Sequence, residues 1–322
     1  MSKLPEAFLE RLRDIVPETA LTDTLQSFAS VKPLIIRVNS IQTTAQTVAA
    51  QLTSLSIPHT PISWKPDAFC IPYHYREQTL RSDMYQQGQI YSQNLSSQLA
   101  PLVLAPQAGE EVLDMCAAPG GKTLQIAGML QRTGRIAAVE KIKSRFFKLK
   151  ANLKSQHVDF VHTYLTDAVS LWRKTPERFD RILLDAPCST ESRFQCNNPD
   201  SFSHWQLRKI KETSRKQKKL LISALHCLKP GGTLVYCTCS FAPEENEAVI
   251  DYVYRRFTDV VSIRPIDLPF KNYQQGLTHW QGKVFCPEVS NTIRVLPNEK
   301  MDGFFLCKIV KERSTQNQSD KR

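Results

Sequence analysis

Leu113-Asp114-Met115-Cys116-Ala117-Ala118-Pro119-Gly120-Gly121-Lys122-Thr123 reads as a short buried strand, a glycine-rich turn and the start of a helix. The same alternation continues downstream. Strands are expected at Val112–Met115, Arg135–Val139, Phe160–Tyr164, Arg181–Leu184 and Thr233–Cys237, with helices at Lys122–Leu130, Ser144–Leu153 and 205–228 between them. Lys229-Pro230-Gly231-Gly232 stops the longest helix, and a further helix follows over Glu244–Phe257. Repeated strand–helix units predict an α/β fold with a mostly parallel sheet covered by helices on both faces. Ligands of such sheets bind at the carboxyl ends of the strands. Glu140, Asp167, Asp185, Cys188 and Cys239 all fall at or just after predicted strand ends.

Upstream, the pattern is mixed. Phe8, Leu9, Leu12 and Ile15 have helix spacing within 5–30; Leu34–Val38 and the stretch Ala68–Ile71 read as strands, and Thr43–Leu55 reads as a helix. The expected organisation is an N-terminal α+β module over 1–85, a helical linker over 86–110, a main domain over 111–313 and a polar, disordered tail over 314–322.

Composition narrows the partners. The chain of 322 residues is 41% hydrophobic and carries a formal net charge of +11, with a pI near 9.2. A polyanion, most simply a nucleic acid, suits that balance. No apolar run approaches membrane-spanning length, and the N-terminus lacks the apolar core of a secretory signal. Nine irregularly spaced cysteines read as reduced thiols in a cytoplasm-like compartment. No Cys-x-x-Cys pair occurs, so no metal is expected.

The turn at Gly120-Gly121-Lys122-Thr123 is not an ATP or GTP phosphate loop, because Cys116 stands where that loop needs its first glycine. The dinucleotide pattern G-x-G-x-x-G is absent as well. What remains is a tight turn at a helix N-terminus, which suits a carboxylate, and Glu140 ends the next strand where an acid can grip ribose hydroxyls. Asp185-Ala186-Pro187-Cys188-Ser189 and Cys237-Thr238-Cys239-Ser240 deliver two cysteines to one sheet edge. Paired thiols beside a small-molecule cradle suit covalent chemistry on an electrophilic ring, which in a basic chain points to a nucleobase. The residues by themselves leave the roles of the two cysteines open.

These three strings together resemble the Nop/Sun family of RNA cytosine-5 methyltransferases. Arg37-Val38-Asn39 resembles that family's N-terminal module, Tyr91-Ser92-Gln93-Asn94 its linker, and Asp302-Gly303-Phe304-Phe305 its closing strand. The resemblance implies a Rossmann-like class I methyltransferase domain with a seven-stranded sheet and an antiparallel last strand. It implies S-adenosylmethionine as cofactor, held by Cys116, Ala117, Ala118, Pro119, Gly120, Gly121 and Lys122 at the methionine end, Glu140 at the ribose, Asp167 near the adenine and Asp185 near the sulfonium. It also implies Cys239 as the nucleophile at cytosine C6, Cys188 as the thiol that assists release, and Asp185 as the residue that orients and protonates the base.

Arg208, Lys209, Lys211, Arg215, Lys216, Lys218 and Lys219 crowd one helix with only Glu212 opposing, and are expected to contact RNA phosphates. Phe194, Phe202 and Trp205 nearby are candidates either for base stacking or for core. The run Thr190-Glu191-Ser192-Arg193-Phe194 departs from the glycine often found there in the family. The chain beyond Lys311 is too short for the extra C-terminal RNA-binding domain of some relatives, so recognition is expected from the N-terminal module, the basic helix or a partner. Ribosomal RNA is the favoured substrate and a monomer the expected state. Transfer RNA as substrate, methylation at another pyrimidine position, and a catalytically idle RNA-binding or ribosome-assembly factor on the same fold are the other readings.

Overall fold

The computed structural model of the chain describes residues 4–316. It opens with helices α1 (Glu6–Ile15) and α2 (Glu18–Ala29). The single helical stretch expected there is broken at Pro17, which has no N–H to give and disfavours a helical residue before it. Phe8, Leu12, Ile15 and Phe28 are buried in the core of the large sheet, with Phe8 packed edge-on against Phe28 and Phe194. Helices α1 and α2 therefore share the core of the main domain.

A small antiparallel sheet follows, in the order β2-β3-β1-β4: β1 (Leu34–Val38), β2 (Thr60–Ile62), β3 (Lys65–Ile71) and β4 (Ile90–Ser92). Helix α3 (Ala45–Ser54), capped by the Thr44 hydroxyl accepting from the Thr47 N–H, covers it with Val48 and Leu52. The short helices α4 (Arg76–Arg81) and α5 (Asp83–Gln86) lead back to the sheet. The linker is thus not helical throughout: Ile90–Ser92 pairs with β1, and only α6 (Leu99–Leu104) is α-helical. Ile90 belongs to the core of the small sheet while Leu95 and Leu99 belong to that of the large one, so no single helix could bury all three.

The module is pinned to the main domain by two buried polar side chains. Arg37 Nε donates to Gln93 Oε1 at 2.9 Å and its NH2 to the Gly121 carbonyl at 3.4 Å. Asn39 Nδ2 donates to the carbonyls of Gly88 and Gln156 at 2.9 and 2.8 Å.

The main domain alternates β5 (Glu111–Asp114), α7 (Gly121–Leu130), β6 (Arg135–Glu140), α8 (Lys143–Ser155), β7 (Val161–Leu165), β8 (Phe179–Asp185), α9 (Leu207–Cys227), β9 (Leu228–Thr238) and α10 (Glu247–Arg256). After these come β10 (Val261–Arg264), β11 (Tyr273–Gln275), the hairpin β12 (His279–Trp280) and β13 (Lys283–Val284), β14 (Ile293–Val295) and β15 (Phe304–Lys311). The large sheet runs β11-β14-β15-β9-β8-β5-β6-β7, with β5 to β9 parallel and β15 antiparallel to β9. It holds nine strands where seven were expected. The outer edge of β15 is shared by β10 at one end and β14 at the other, and β11 adds a strand beyond β14. Pro265 ends β10 early, because it cannot donate to a ladder, and leaves half of that edge to β14.

The chain runs outward from β5 through β6 to β7, then returns to β8 on the other side of β5. This reversal makes a crevice at the carboxyl ends of β5 and β8. Among the described residues, no helix is long and apolar enough to cross a membrane. Of the expected tail, Ser314 Oγ donates to Glu177 Oε2 at 3.0 Å and the Thr315 N–H to Glu177 Oε1 at 2.8 Å, so these two residues are held. Residues 317–322 of that tail lie outside the described residues.

Candidate active site

Two adjoining clefts open at the crevice. One of about 280 Å³ is lined by Glu140, Asp167, Asp185, Cys188 and Cys239, among others. Another of about 290 Å³ is lined by Gln93, Asn94, Asp114, Ala117 to Pro119, Gly121 and Lys122. Cys116, Arg145, Asp185 and Arg193 border both, so the two are halves of one site.

The glycine turn forms its wall. Gly120 has a φ of +109°, and a Cβ there would lie 2.9 Å from Leu149 Cδ1, so only glycine fits. Arg145 and Asn152 on α8 donate to the carbonyls of Ala118 and Pro119 at 2.7 and 2.8 Å, holding the turn in shape. Asp114 ends β5 almost fully buried and accepts from Thr123 Oγ1 at 2.7 Å. Burial pushes its carboxyl up to about 7, and its second oxygen has no hydrogen-bond partner among the described residues.

Glu140 at the end of β6 is 4% exposed. One of its oxygens accepts from the Ile142 N–H at 2.8 Å, while the other, Oε2, is buried 3.6 Å from Arg145 NH1 with no hydrogen-bond partner among the described residues. A buried carboxylate oxygen without a donor is costly unless a ligand supplies one. Asp167, after β7, accepts from the Val169 N–H at 3.1 Å and from Lys141 Nζ at 2.6 Å. Burial alone would raise its carboxyl, but the Lys141 and Val169 hydrogen bonds outweigh it and hold the group below its ordinary value.

The two cysteines meet. The register of β8 and β9 sets Asp185 opposite Cys237, and the Ala186 N–H donates to the Cys237 carbonyl at 3.0 Å. The loops that leave these strand ends bring Cys188 Sγ to 3.4 Å from Cys239 Sγ. The hydrogen bond from Cys188 lowers the Cys239 thiol below its ordinary value against the effect of burial, helped by the nearby charge of Arg193. The same hydrogen bond, together with burial, holds Cys188 well above its own. At 3.4 Å the two thiols share one hydrogen bond and titrate as a coupled pair. Asp185 Oδ2 accepts from Lys122 Nζ at 2.7 Å. Burial would lower the Lys122 ammonium, but the charge of Asp185 more than offsets it and raises the group overall. Cys237 lies on the same side of the strand as Cys239, with Sγ 3.6 Å from Asp185 Oδ1, and burial keeps it and Cys116 protonated.

The shell that holds the thiols was not anticipated. Glu191, 1% exposed, accepts from Trp205 Nε1 (2.8 Å), Ser240 Oγ (3.1 Å) and the N–H groups of Phe241 (2.9 Å) and Ala242 (2.8 Å). Ser192 donates to the Cys239 carbonyl through both its N–H (3.1 Å) and its hydroxyl (2.9 Å). Glu245 accepts from the Ser189 N–H at 3.0 Å, and Asn246 Nδ2 donates to the Ser240 carbonyl at 2.8 Å. Glu245 and Asn246 lie only a few residues past Cys239, a proximity that could have flagged them; nothing in the sequence tells that Glu191 points inward. The departure at Thr190 to Phe194 is therefore a brace for the Cys239 turn.

Of the cations expected on α9, Lys216 alone lines the cleft. Arg208 is taken by Glu212 at 2.9 Å, and Lys218 lies over the Tyr252 ring at 4.7 Å. Lys209, Lys211, Arg215 and Lys219 are exposed. Phe194, Phe202 and Trp205 turn inward and pack with Phe8 and one another, so they are core.

Residues 101–310 match the family model described as 16S rRNA methyltransferase RsmB/F. The chain is 32% identical over 319 residues to the ribosomal RNA small subunit methyltransferase F of Cronobacter sakazakii, covering 97% of this chain and 64% of that one. It is 35% identical over 280 residues to the tRNA (cytosine(49)-C(5))-methyltransferase of Pyrococcus abyssi, covering 86% of this chain and 88% of that one. The chain thus spans just under two thirds of its bacterial relative and most of the archaeal one. In three dimensions it is similar to a methyltransferase homolog protein from Pyrococcus horikoshii, with a TM-score of 0.77, 29% identity, and 96% and 100% of the two chains covered.

Proposed function

Because the chain belongs to the RsmB/F family of methyltransferases, within the Nop/Sun group, we propose that it methylates C5 of cytosine in RNA, ribosomal RNA first. The observation that carries this reading is the pair of sulfur atoms 3.4 Å apart beside the Lys122–Asp185 ion pair.

S-adenosylmethionine fits the residues present. Glu140 Oε2, which has no hydrogen bond among the described residues and only the Arg145 guanidinium at 3.6 Å, suits a hydroxyl donor such as a ribose supplies. The cradle over Ala117 to Lys122 would take the methionine end, with Gly120 leaving room, and Asp167 would flank the adenine. When bound, the cofactor supplies an electrophilic methyl group.

The chain's own residues do the rest. Cys239 as thiolate adds to C6 of the base. Lys122 passes a proton through the Asp185 carboxylate to N3, so C5 becomes an enamine carbon able to take the methyl. Once Cys239 is a thioether it carries no charge and no longer accepts from Cys188. The largest influence holding Cys188 protonated is then gone. Cys188, once its own proton has passed to solvent, takes the C5 proton; Cys239 then leaves C6 as a thiolate and the N3 proton returns through Asp185 to Lys122. The target cytosine has to be unpaired or flipped to reach this crevice.

The archaeal relative named as a transfer RNA enzyme, with 88% of its length covered, supports transfer RNA as the second reading. The test is denaturing gel analysis of Cys188→Ala and Cys239→Ala with cellular RNA and S-adenosylmethionine. Cys188→Ala should accumulate a covalent protein–RNA band and Cys239→Ala none; sequencing the trapped RNA identifies the substrate. A band with Cys239→Ala alone would reverse the roles, and no band with an inactive wild type would sink the reading.

A further inference from the structure

The strongest unclaimed surface lies on α8, outside the basic helix expected from sequence. From Lys141 to Val158 the chain contains Lys141, Lys143, Arg145, Lys148, Lys150 and Lys154 and no acid. Lys141 and Arg145 are engaged at the cofactor end, by Asp167 and by the Ala118 carbonyl. Lys143, Lys148, Lys150 and Lys154 are exposed and form no ion pair among the described residues. Lys143, Phe147, Lys150 and Lys154 recur at helical spacing, so they share one face. Along that face the helix rises about 16 Å. Phe147 is 54% exposed in the middle of the stripe, a large aromatic with no core to fill.

Both ends of the stripe meet cavities. At its start, Lys141, Ile142 and Arg145 line the cleft that holds the two thiols. At its far end, Lys150 and Lys154 join Arg132 and His157 around a separate groove of about 520 Å³. Asp159 also lines it; Arg132 pairs with that carboxylate at 2.9 Å and lies over the Phe160 ring at 5.0 Å.

We propose that the exposed face of α8 is a second RNA track, on which a single strand leaving the active-site crevice lays its phosphates on Lys143, Lys150 and Lys154 and stacks a base on Phe147. This rests on the reading of the chain as an RNA enzyme. Unpaired cations with an interleaved aromatic are what a flexible polyanion with stackable bases requires. A membrane-surface helix would segregate its apolar residues to the face opposite its lysines; here Phe147 lies between the lysines, and the opposite face, with Leu149 and Leu153, is buried.

The test uses the full chain and a fluorescently labelled, cytosine-containing single-stranded RNA of about 20 nucleotides, titrated at several salt concentrations. The triple variant Lys143→Gln, Lys150→Gln, Lys154→Gln should reduce the slope of log affinity against log salt by about 2, the share of three phosphates on a single strand. Phe147→Ala should weaken binding about fivefold or more and leave the slope unchanged. S-adenosylmethionine affinity and thermal midpoint should stay at wild-type values in both, which separates a lost RNA contact from a folding defect. An unchanged slope and affinity in the triple variant would overturn the proposal. So would loss of binding to phosphatidylserine vesicles with RNA binding intact, in favour of a membrane surface. Because wild-type methyl transfer is measured alongside, an inactive wild type whose RNA binding still depends on these residues would count against the enzymatic reading and leave the track standing.

Discussion

Replacing Glu191 by alanine should destabilise the protein by about 3–5 kcal/mol, an expectation built from its four hydrogen bonds. In the native structure its carboxyl is buried and accepts from Trp205 Nε1, Ser240 Oγ and the N–H groups of Phe241 and Ala242, all between 2.8 and 3.1 Å. Alanine leaves the Phe241 N–H and the Trp205 indole N–H without an acceptor in a place water reaches poorly, while the Ala242 N–H keeps Ser240 Oγ at 3.0 Å. Each orphaned donor costs about 1–3 kcal/mol. The total falls below the simple sum, because burying this carboxyl is itself unfavourable, as its raised proton affinity reflects. Glu191→Gln keeps one acceptor oxygen for the Ser240–Ala242 turn but turns an amide donor on Trp205, and should cost about 1–2 kcal/mol. Urea denaturation of both variants gives the stability change. The alkylation rate of Cys239 by iodoacetamide reports whether its turn has loosened. A loss below about 1 kcal/mol for Glu191→Ala, with Cys239 alkylated at the wild-type rate, would refute the idea that this carboxylate braces the thiol.

Three further outcomes follow from the same geometry. Arg193→Met removes the cation facing the thiol pair, so the rate–pH profile of Cys239 alkylation should move to higher pH and the rate at neutral pH fall roughly tenfold. Glu140→Ala should weaken S-adenosylmethionine binding by about tenfold to a hundredfold in a calorimetric titration, the worth of a charge-assisted hydrogen bond, and leave the thermal midpoint of the apoprotein near wild type. Burial raises Glu245 to about 7 in the folded protein from an ordinary 4.5, so folding favours its protonated form. Its stabilising contribution is complete below the unfolded value and is lost as pH rises through the folded one; urea midpoints should fall between about pH 5 and about pH 8, and Glu245→Gln should flatten that fall.

The catalytic half of the fold was legible because its chemistry is punctual. Each parallel strand ends in an acid or a cysteine, and buried strands with glycine turns after them have few alternative readings. Lys122, Asp185, Cys188 and Cys239 consequently come together as their strand ends required. The linker was misread because Ile90, Leu95 and Leu99 mimic helix spacing while serving two cores, a fact only the tertiary structure contains. Glu191 and Ser192 escaped for a related reason: a polar loop gives no sign of whether it faces water or a neighbouring turn. Charge on α9 was conspicuous because it is dense, whereas the cations of α8 are spaced out among apolar residues and drew no notice.

The Arg37 bridge has a thermodynamic consequence. Its guanidinium joins a strand of the small sheet to the carbonyl of Gly121, the first residue of the helix behind the glycine turn. A ligand that shifts β1 therefore also shifts the first turn of α7. Should RNA bind the small sheet and S-adenosylmethionine the turn, the two are coupled ligands. Linkage makes that coupling reciprocal: the factor by which cofactor changes RNA affinity equals the factor by which RNA changes cofactor affinity. Order of binding would be a matter of concentration, with neither ligand obliged to arrive first.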